Sequence, residues 1–291
     1  MYSNILIATD LSRDSGALVR CVAGLVDKGC RRAHLVYGLE VEDIGPVRAS
    51  LDQLLQPELD RQMAVLRSAG IEPISHIALY PISREIERIA GENDCSLVVA
   101  GSRVHSLAGE MTAGSMAGTV LTSTRRPLLM LRLSRTDPDD SPSCACWPCA
   151  PLKHLLVPTD FSENAEHAFG YIERFVKEQA PGRITLLHVQ DRRRIDRHLK
   201  DRLDEFNATD RERLERLRDR LAAVASAEIV AELPYGHPAA EIVEYCCREA
   251  VSLVVMGTQG RGHVKELFLG SVSHSVARQA PVPVLLIPQP L

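Results

Sequence analysis

A doubly wound α/β fold, present twice in tandem, is the class this sequence predicts, and three observations predict it. One block of sequence recurs: Ser96-Leu97-Val98-Val99-Ala100-Gly101-Ser102 returns 156 residues later as Ser252-Leu253-Val254-Val255-Met256-Gly257-Thr258. Strand-like and helix-like stretches alternate through both copies. The first and fourth strands are continuous apolar runs, such as Ile5-Leu6-Ile7 and Leu253-Val254-Val255, as a parallel sheet covered on both faces requires. We therefore expect two domains, residues 1–133 and 153–291, each a five-stranded parallel sheet with helices on both faces.

In the first copy, strands are expected near residues 4–9, 33–40, 72–80, 96–101 and 127–133, with helical patterns between them. The second repeats them near 153–159, 183–190, 227–234, 252–257 and 283–288. The repeat offset is 150 at Asp10 and Asp160 but 156 from Glu85 onward, so about six extra residues sit in the middle of the second copy. That middle, residues 191–220, holds eleven basic and nine acidic side chains. Leu214, Leu217 and Leu221 recur there at helical spacing, which predicts an amphipathic helix with a solvated, salt-bridged face. Residues 134–152 are rich in Pro, Ser and Asp and read as the linker.

Composition narrows the function. The chain has 291 residues, 45% apolar side chains and a formal charge of -4, which leaves no cationic excess for a nucleic-acid backbone. No run approaches the roughly 18 apolar residues of a membrane span, and no leader-like segment precedes Asn4. A cytoplasmic protein without nucleic-acid or membrane partners is the expectation. In a reducing compartment Cys21, Cys30, Cys95, Cys246 and Cys247 serve as small apolar residues.

Ligands of open parallel sheets bind beyond the carboxyl ends of strands, where the strand order reverses. The second copy carries unusual residues at two such ends: Val157-Pro158-Thr159-Asp160 after its first strand, and Met256-Gly257-Thr258-Gln259-Gly260-Arg261-Gly262 after its fourth. Gly270-Ser271-Val272-Ser273 then opens the last helix. Glycines let backbone N–H groups approach an anion, and a helix N-terminus adds free N–H groups and a positive dipole end. Ser271 and Ser273 can donate hydroxyl bonds to the same phosphates. Asp160 suits ribose hydroxyls or a metal ion.

With Asp10 and Asp160 closing the first strands, Ser12 and Ser162 after them, and Gly257, Gly260 and Gly270-Ser271 at this spacing, the chain resembles the universal stress protein family in its tandem-domain form. The resemblance covers nearly everything outside the linker. It implies an adenine nucleotide alpha hydrolase-like fold that holds ATP, with Mg²⁺ on the phosphates. Adenine and ribose would lie near Pro158, Thr159, Asp160 and Val189. The phosphates would lie along Gly257, Gly260, Arg261, Gly262, Gly270, Ser271, Val272 and Ser273, with Met256 at the root of the loop. The first copy keeps Asp10, Gly101, Gly114 and Ser115 but has Val104 where the second glycine belongs. A β-branched side chain is costly at positive φ and bulky beside a phosphate, so its site is the weaker.

The resemblance also implies a nucleotide-dependent stress or signalling regulator. A slow ATPase and a dimerising scaffold without nucleotide are the alternatives. The loops of adenylating enzymes and of P-loop NTPases are missing. Cys144, Cys146 and Cys149 surround Trp147 in the linker and could bind zinc, with His154 as a further ligand, or form a redox pair. The apolar last strands, Leu128-Leu129-Met130-Leu131 and Val284-Leu285-Leu286-Ile287, suggest an intrachain pseudo-dimer, with a homodimer also open.

Overall fold

A computed structural model describes residues 2–39, 45, 48–103, 116–133, 147–148, 150–195, 202–260 and 269–289. Two compact units divide the chain, Met1–Ala150 and Pro151–Leu291.

The first unit runs β1 (Asn4–Thr9), α1 (Arg13–Ala23), a 3-10 turn, β2 (Arg32–Gly38), α2 (Arg48–Ser68), β3 (Glu72–Ala78), α3 (Ile82–Glu92), β4 (Leu97–Arg103), α4 (Met116–Ser123) and β5 (Leu128–Leu133). Its strands pair in parallel in the order β3-β2-β1-β4-β5. The order turns back between β1 and β4, which creates the crevice expected of a doubly wound sheet.

The second unit repeats the plan with β6 (His154–Pro158), α5 (Glu163–Gln179), β7 (Arg183–Leu187), β8 (Gln190–Asp191), α6 (Arg192–Ile195), α7 (Leu203–Ala222), β9 (Glu228–Glu232), β10 (Tyr235–Gly236), α8 (Pro238–Arg248), β11 (Leu253–Gly257), α9 (Ser271–Gln279) and β12 (Val284–Ile287). Its sheet order is β9-β7-β6-β11-β12, again parallel. A short parallel pair, β8 with β10, stands apart from it. The turning point falls between β6 and β11.

Burial follows the predicted pattern. Ile5 to Ile7, Leu97 to Ala100, Leu155 to Val157 and Leu253 to Val255 are fully buried, because both faces of these strands are covered. The outer strands β3 and β9 carry Glu72, His76, Glu228 and Glu232 and are only half-buried.

One turn appears in both units, and the sequence explains it. Leu11 and Phe161 adopt left-handed backbone, φ 55° and 58°, a conformation that costs non-glycine residues energy unless neighbours hold it. Here side chains hold it. Thr9 and Thr159 hydroxyls accept the Leu11 and Phe161 N–H groups, each at 3.1 Å. Asp10 and Asp160 Oδ1 accept the hydroxyls of Ser12 and Ser162, each at 2.6 Å. Those serines in turn cap α1 and α5. The Thr-Asp-x-Ser motif is thus a strand-to-helix elbow before it is anything else.

The cysteines depart from expectation at one position. Cys21 is one half of a disulfide rather than a plain apolar filler, while Cys30, Cys95, Cys246 and Cys247 are free thiols. The proposed zinc or redox ligands Cys144, Cys146 and Cys149 lie outside the described residues. Trp147 is buried with its ring edge-on to Tyr2. His154 is not available as their partner: its Nδ1 meets the Glu249 carbonyl at 2.9 Å and its Nε2 the Thr185 hydroxyl at 2.8 Å.

Candidate functional site

The end of β6, the loop after β11 and the start of α9 converge on one cavity of about 660 Å³ in the second unit. That size is within the usual range for small-molecule sites. Pro158, Thr159, Asp160, Val189, Met256, Gly257, Gly260, Gly270, Ser271, Val272 and Ser273 all line it. Arg261 and Gly262, proposed from sequence alongside them, fall outside the described residues.

The two loop glycines are small for different reasons. A Cβ on Gly260 would stand 2.5 Å from Asp160 Oδ2, so any side chain there would have to push the carboxylate aside. A Cβ on Gly257 would stand 3.3 Å from the Asn164 carbonyl of α5, a tight strand-to-helix approach. Gly270 is the N-cap of α9 and anchors the loop by donating its N–H to Thr258 O at 2.7 Å. Ser271, Val272 and Ser273 of the first turn of α9 line the cavity, and the start of a helix leaves N–H groups without intrahelical partners.

Ser273 differs from the sequence expectation. Its buried hydroxyl donates to the carbonyl of Thr258, with Gly270 O at 2.9 Å beside it. The proton that was to reach a phosphate is used to tie the loop to α9. Ser271 is exposed and keeps the role open to it.

The opposite wall was not foreseen. Helix α7, which the sequence predicts as amphipathic with a solvated, salt-bridged face, contributes Phe206, Thr209, Asp210 and Arg213 to the lining, and the segment after β7 contributes His188 and Gln190. Asp210 is buried and accepts from Gln190 Nε2 at 2.9 Å and from Arg213 at 3.1 Å, with His188 Nε2 at 3.4 Å. The Phe161 ring packs 4.5 Å from the His188 ring, and the Arg213 guanidinium lies 5.5 Å from its centroid. A signal existed: Phe206, Asp210, Leu214, Leu217 and Leu221 fall on one helical stripe, and a carboxylate on an apolar stripe must have buried partners.

In the first unit Asp10 repeats the elbow, but Gly101 has another job. A Cβ there would stand 2.7 Å from Leu133 Cδ1, so packing within the sheet accounts for the glycine. The elbow is joined to α2 by buried Gln62, which accepts from the Thr9 hydroxyl at 3.0 Å and donates to Ser15 at 3.2 Å. Val104, Gly114 and Ser115 lie outside the described residues. Among the described residues, no group of three or more His, Cys, Asp or Glu is placed to hold a metal, and no helix is long and apolar enough to cross a membrane.

Comparison with known proteins follows the same two-copy outline. The sequence profile of the universal stress protein family matches residues 1–132 and again 151–288. A universal stress protein of Methanocaldococcus jannaschii is 30% identical over 157 residues, covering 46% of this chain and 94% of its own. One from Thermus aquaticus is 35% identical over 143 residues, covering 47% and 98%. A solved universal stress protein from Archaeoglobus fulgidus matches across 97% of this chain and 95% of its own, with a TM-score of 0.72 at 21% identity. The first two relatives thus correspond to half of this chain, and the third to both halves.

Proposed function

Since this chain belongs to the universal stress protein family, we propose that it binds an adenine nucleotide, ATP foremost, in the crevice of its second unit and acts as a nucleotide-dependent stress-response or signalling regulator. The observation that carries this reading is the close approach of Gly260 to Asp160, both lining a cavity of about 660 Å³. A glycine close against a carboxylate, beside a helix N-terminus at the sheet's turning point, makes a surface with acceptors at one end and backbone donors at the other. A nucleotide has the complementary order, ribose hydroxyls and then phosphates.

In this reading Asp160 faces the ribose, Val189 and Met256 supply apolar surface for the base, and Gly257, Gly260, Gly270, Ser271 and the first turn of α9 receive the phosphates. Mg²⁺ accompanies the phosphates. In this reading turnover is slow or nil and the nucleotide serves as a bound signal. The cytoplasm, where ATP is abundant, is the fitting compartment.

Calorimetry with ATP on the wild type and on Gly260→Val tests the proposal. The valine displaces Asp160, and affinity should fall at least about tenfold, or 1.4 kcal/mol. Equal affinity in the two proteins would mean that the phosphates lie elsewhere.

A further inference from the structure

The wall built by α7 contains a buried ionic group that the phosphate cradle does not use. The geometry points to His188 as a positioning residue, held doubly protonated between the Thr159 carbonyl and the Asp210 carboxylate, which clasps α7 to the Asp160 elbow and so supports nucleotide binding only while its ring is charged. This deepens the nucleotide reading above and rests on it.

The charge state follows from what each ring nitrogen meets. Nδ1 lies 2.7 Å from Thr159 O, and a carbonyl oxygen accepts only, so Nδ1 must carry hydrogen. Nε2 lies 3.4 Å from Asp210 Oδ2. Asp210 already accepts from Gln190 and Arg213, so it is a carboxylate anion and cannot donate. A bare Nε2 lone pair would face that anion in a place where the two side chains are only 6% and 10% exposed. A second ring proton turns the repulsion into an ion pair. The Phe161 ring, with its centroid 4.5 Å from that of His188, adds a surface that favours a cation.

Among the described residues, Asp210 and Arg213 on α7 are charged groups beside the ring and its Phe161 neighbour, and Asp160 lies on the elbow that the ring holds. Glu232 at the end of β9 takes the His188 backbone N–H through its carbonyl at 3.0 Å, which fixes the residue in place. Loss of one ring proton leaves the Nε2 lone pair against the Asp210 carboxylate, which weakens this join between helix and elbow. The elbow carries Asp160 and, packed against it, Gly260. In the first unit the same join is made by Gln62 to Thr9 and Ser15, neutral groups that do not titrate.

Two measurements on the full chain test the inference. Ring nitrogen-15 shifts of His188 in nucleotide-free protein near neutral pH should report two protonated nitrogens, and a single protonated nitrogen overturns the clasp. ATP affinity is then measured by calorimetry over roughly pH 5.5 to 8.5, the window in which imidazole exchanges its proton, in wild type and in His188→Gln. Glutamine bonds without titrating, and the titration of ATP itself is common to both proteins. The ratio of wild-type to variant affinity should fall about tenfold as pH rises. Asp210→Asn should flatten the wild-type profile in the same way, which keeps the test alive if the glutamine variant folds poorly. A ratio that stays constant while ATP binds overturns the coupling. Failure of ATP to bind at every pH sinks the nucleotide reading and the coupling with it, and the ring shifts still decide the clasp.

Discussion

Single residues in this protein are chosen by what presses on them. Gly257, Gly260 and Gly101 look alike in the sequence, yet a helix carbonyl, a carboxylate and a leucine methyl respectively stand where their side chains would begin. The repeat made the glycines visible; only packing separates the one that faces a ligand cavity from the one that fills a core. The thiols obey the same logic. Burial pushes Cys30 and Cys95 up to about 11 and Cys246 up to about 12, so none is a thiolate at neutral pH. Cys247 beside Cys246 is exposed. Iodoacetamide labelling of these four, read by peptide mass at neutral pH, should modify Cys247 first and leave the other three until the protein is denatured. Equal labelling of Cys246 and Cys247 in the native state would contradict the burial argument.

At the scale of elements, β-strands were legible because they depend on local pattern, apolar runs for β1, β4, β6 and β11, whereas Asp10, Ser12, Asp160 and Ser162 stood out in the sequence only as signature positions and their elbows emerge from the hydrogen bonds. Helix α7 was legible as a helix but not as a wall. Asp210 is one of nine acidic residues in its segment, and its partners His188 and Gln190 come from the far side of β7, a tertiary relation that no periodicity encodes. A second buried polar pair lies across β2 and β3. His34 Nδ1 and His76 Nε2 are 2.9 Å apart, and His34 Nε2 has no partner. Burial, reinforced by His76, lowers His34 to about 4, and burial also lowers His76. Between the ordinary imidazole value and about 4 the unfolded chain binds more protons at His34 than the native one, so stability is present at neutral pH and drains as pH falls through that window, at up to about 1.4 kcal/mol per pH unit, with His76 acting in the same direction. Urea unfolding midpoints should decline over this range in the wild type and decline less in His34→Leu. Parallel declines in the two proteins would remove His34 as the cause.

The whole molecule is a repeat whose halves have diverged by function of position rather than by fold. The order of strands is the same in both, and the two copies were readable from the repeat itself.

Asp160 has two edges, and they are committed differently. Oδ1 accepts from both the N–H and the hydroxyl of Ser162, the residue that caps α5, while Oδ2 is the atom that Gly260 must avoid. The carboxylate therefore belongs at once to the start of a helix and to the rim of a crevice. A molecule settling against one edge steadies the other, so amide hydrogens in the first turn of α5 should exchange with solvent more slowly whenever the crevice is filled. That helix start is a built-in gauge of occupancy, one that sits in the backbone and needs no label on the ligand.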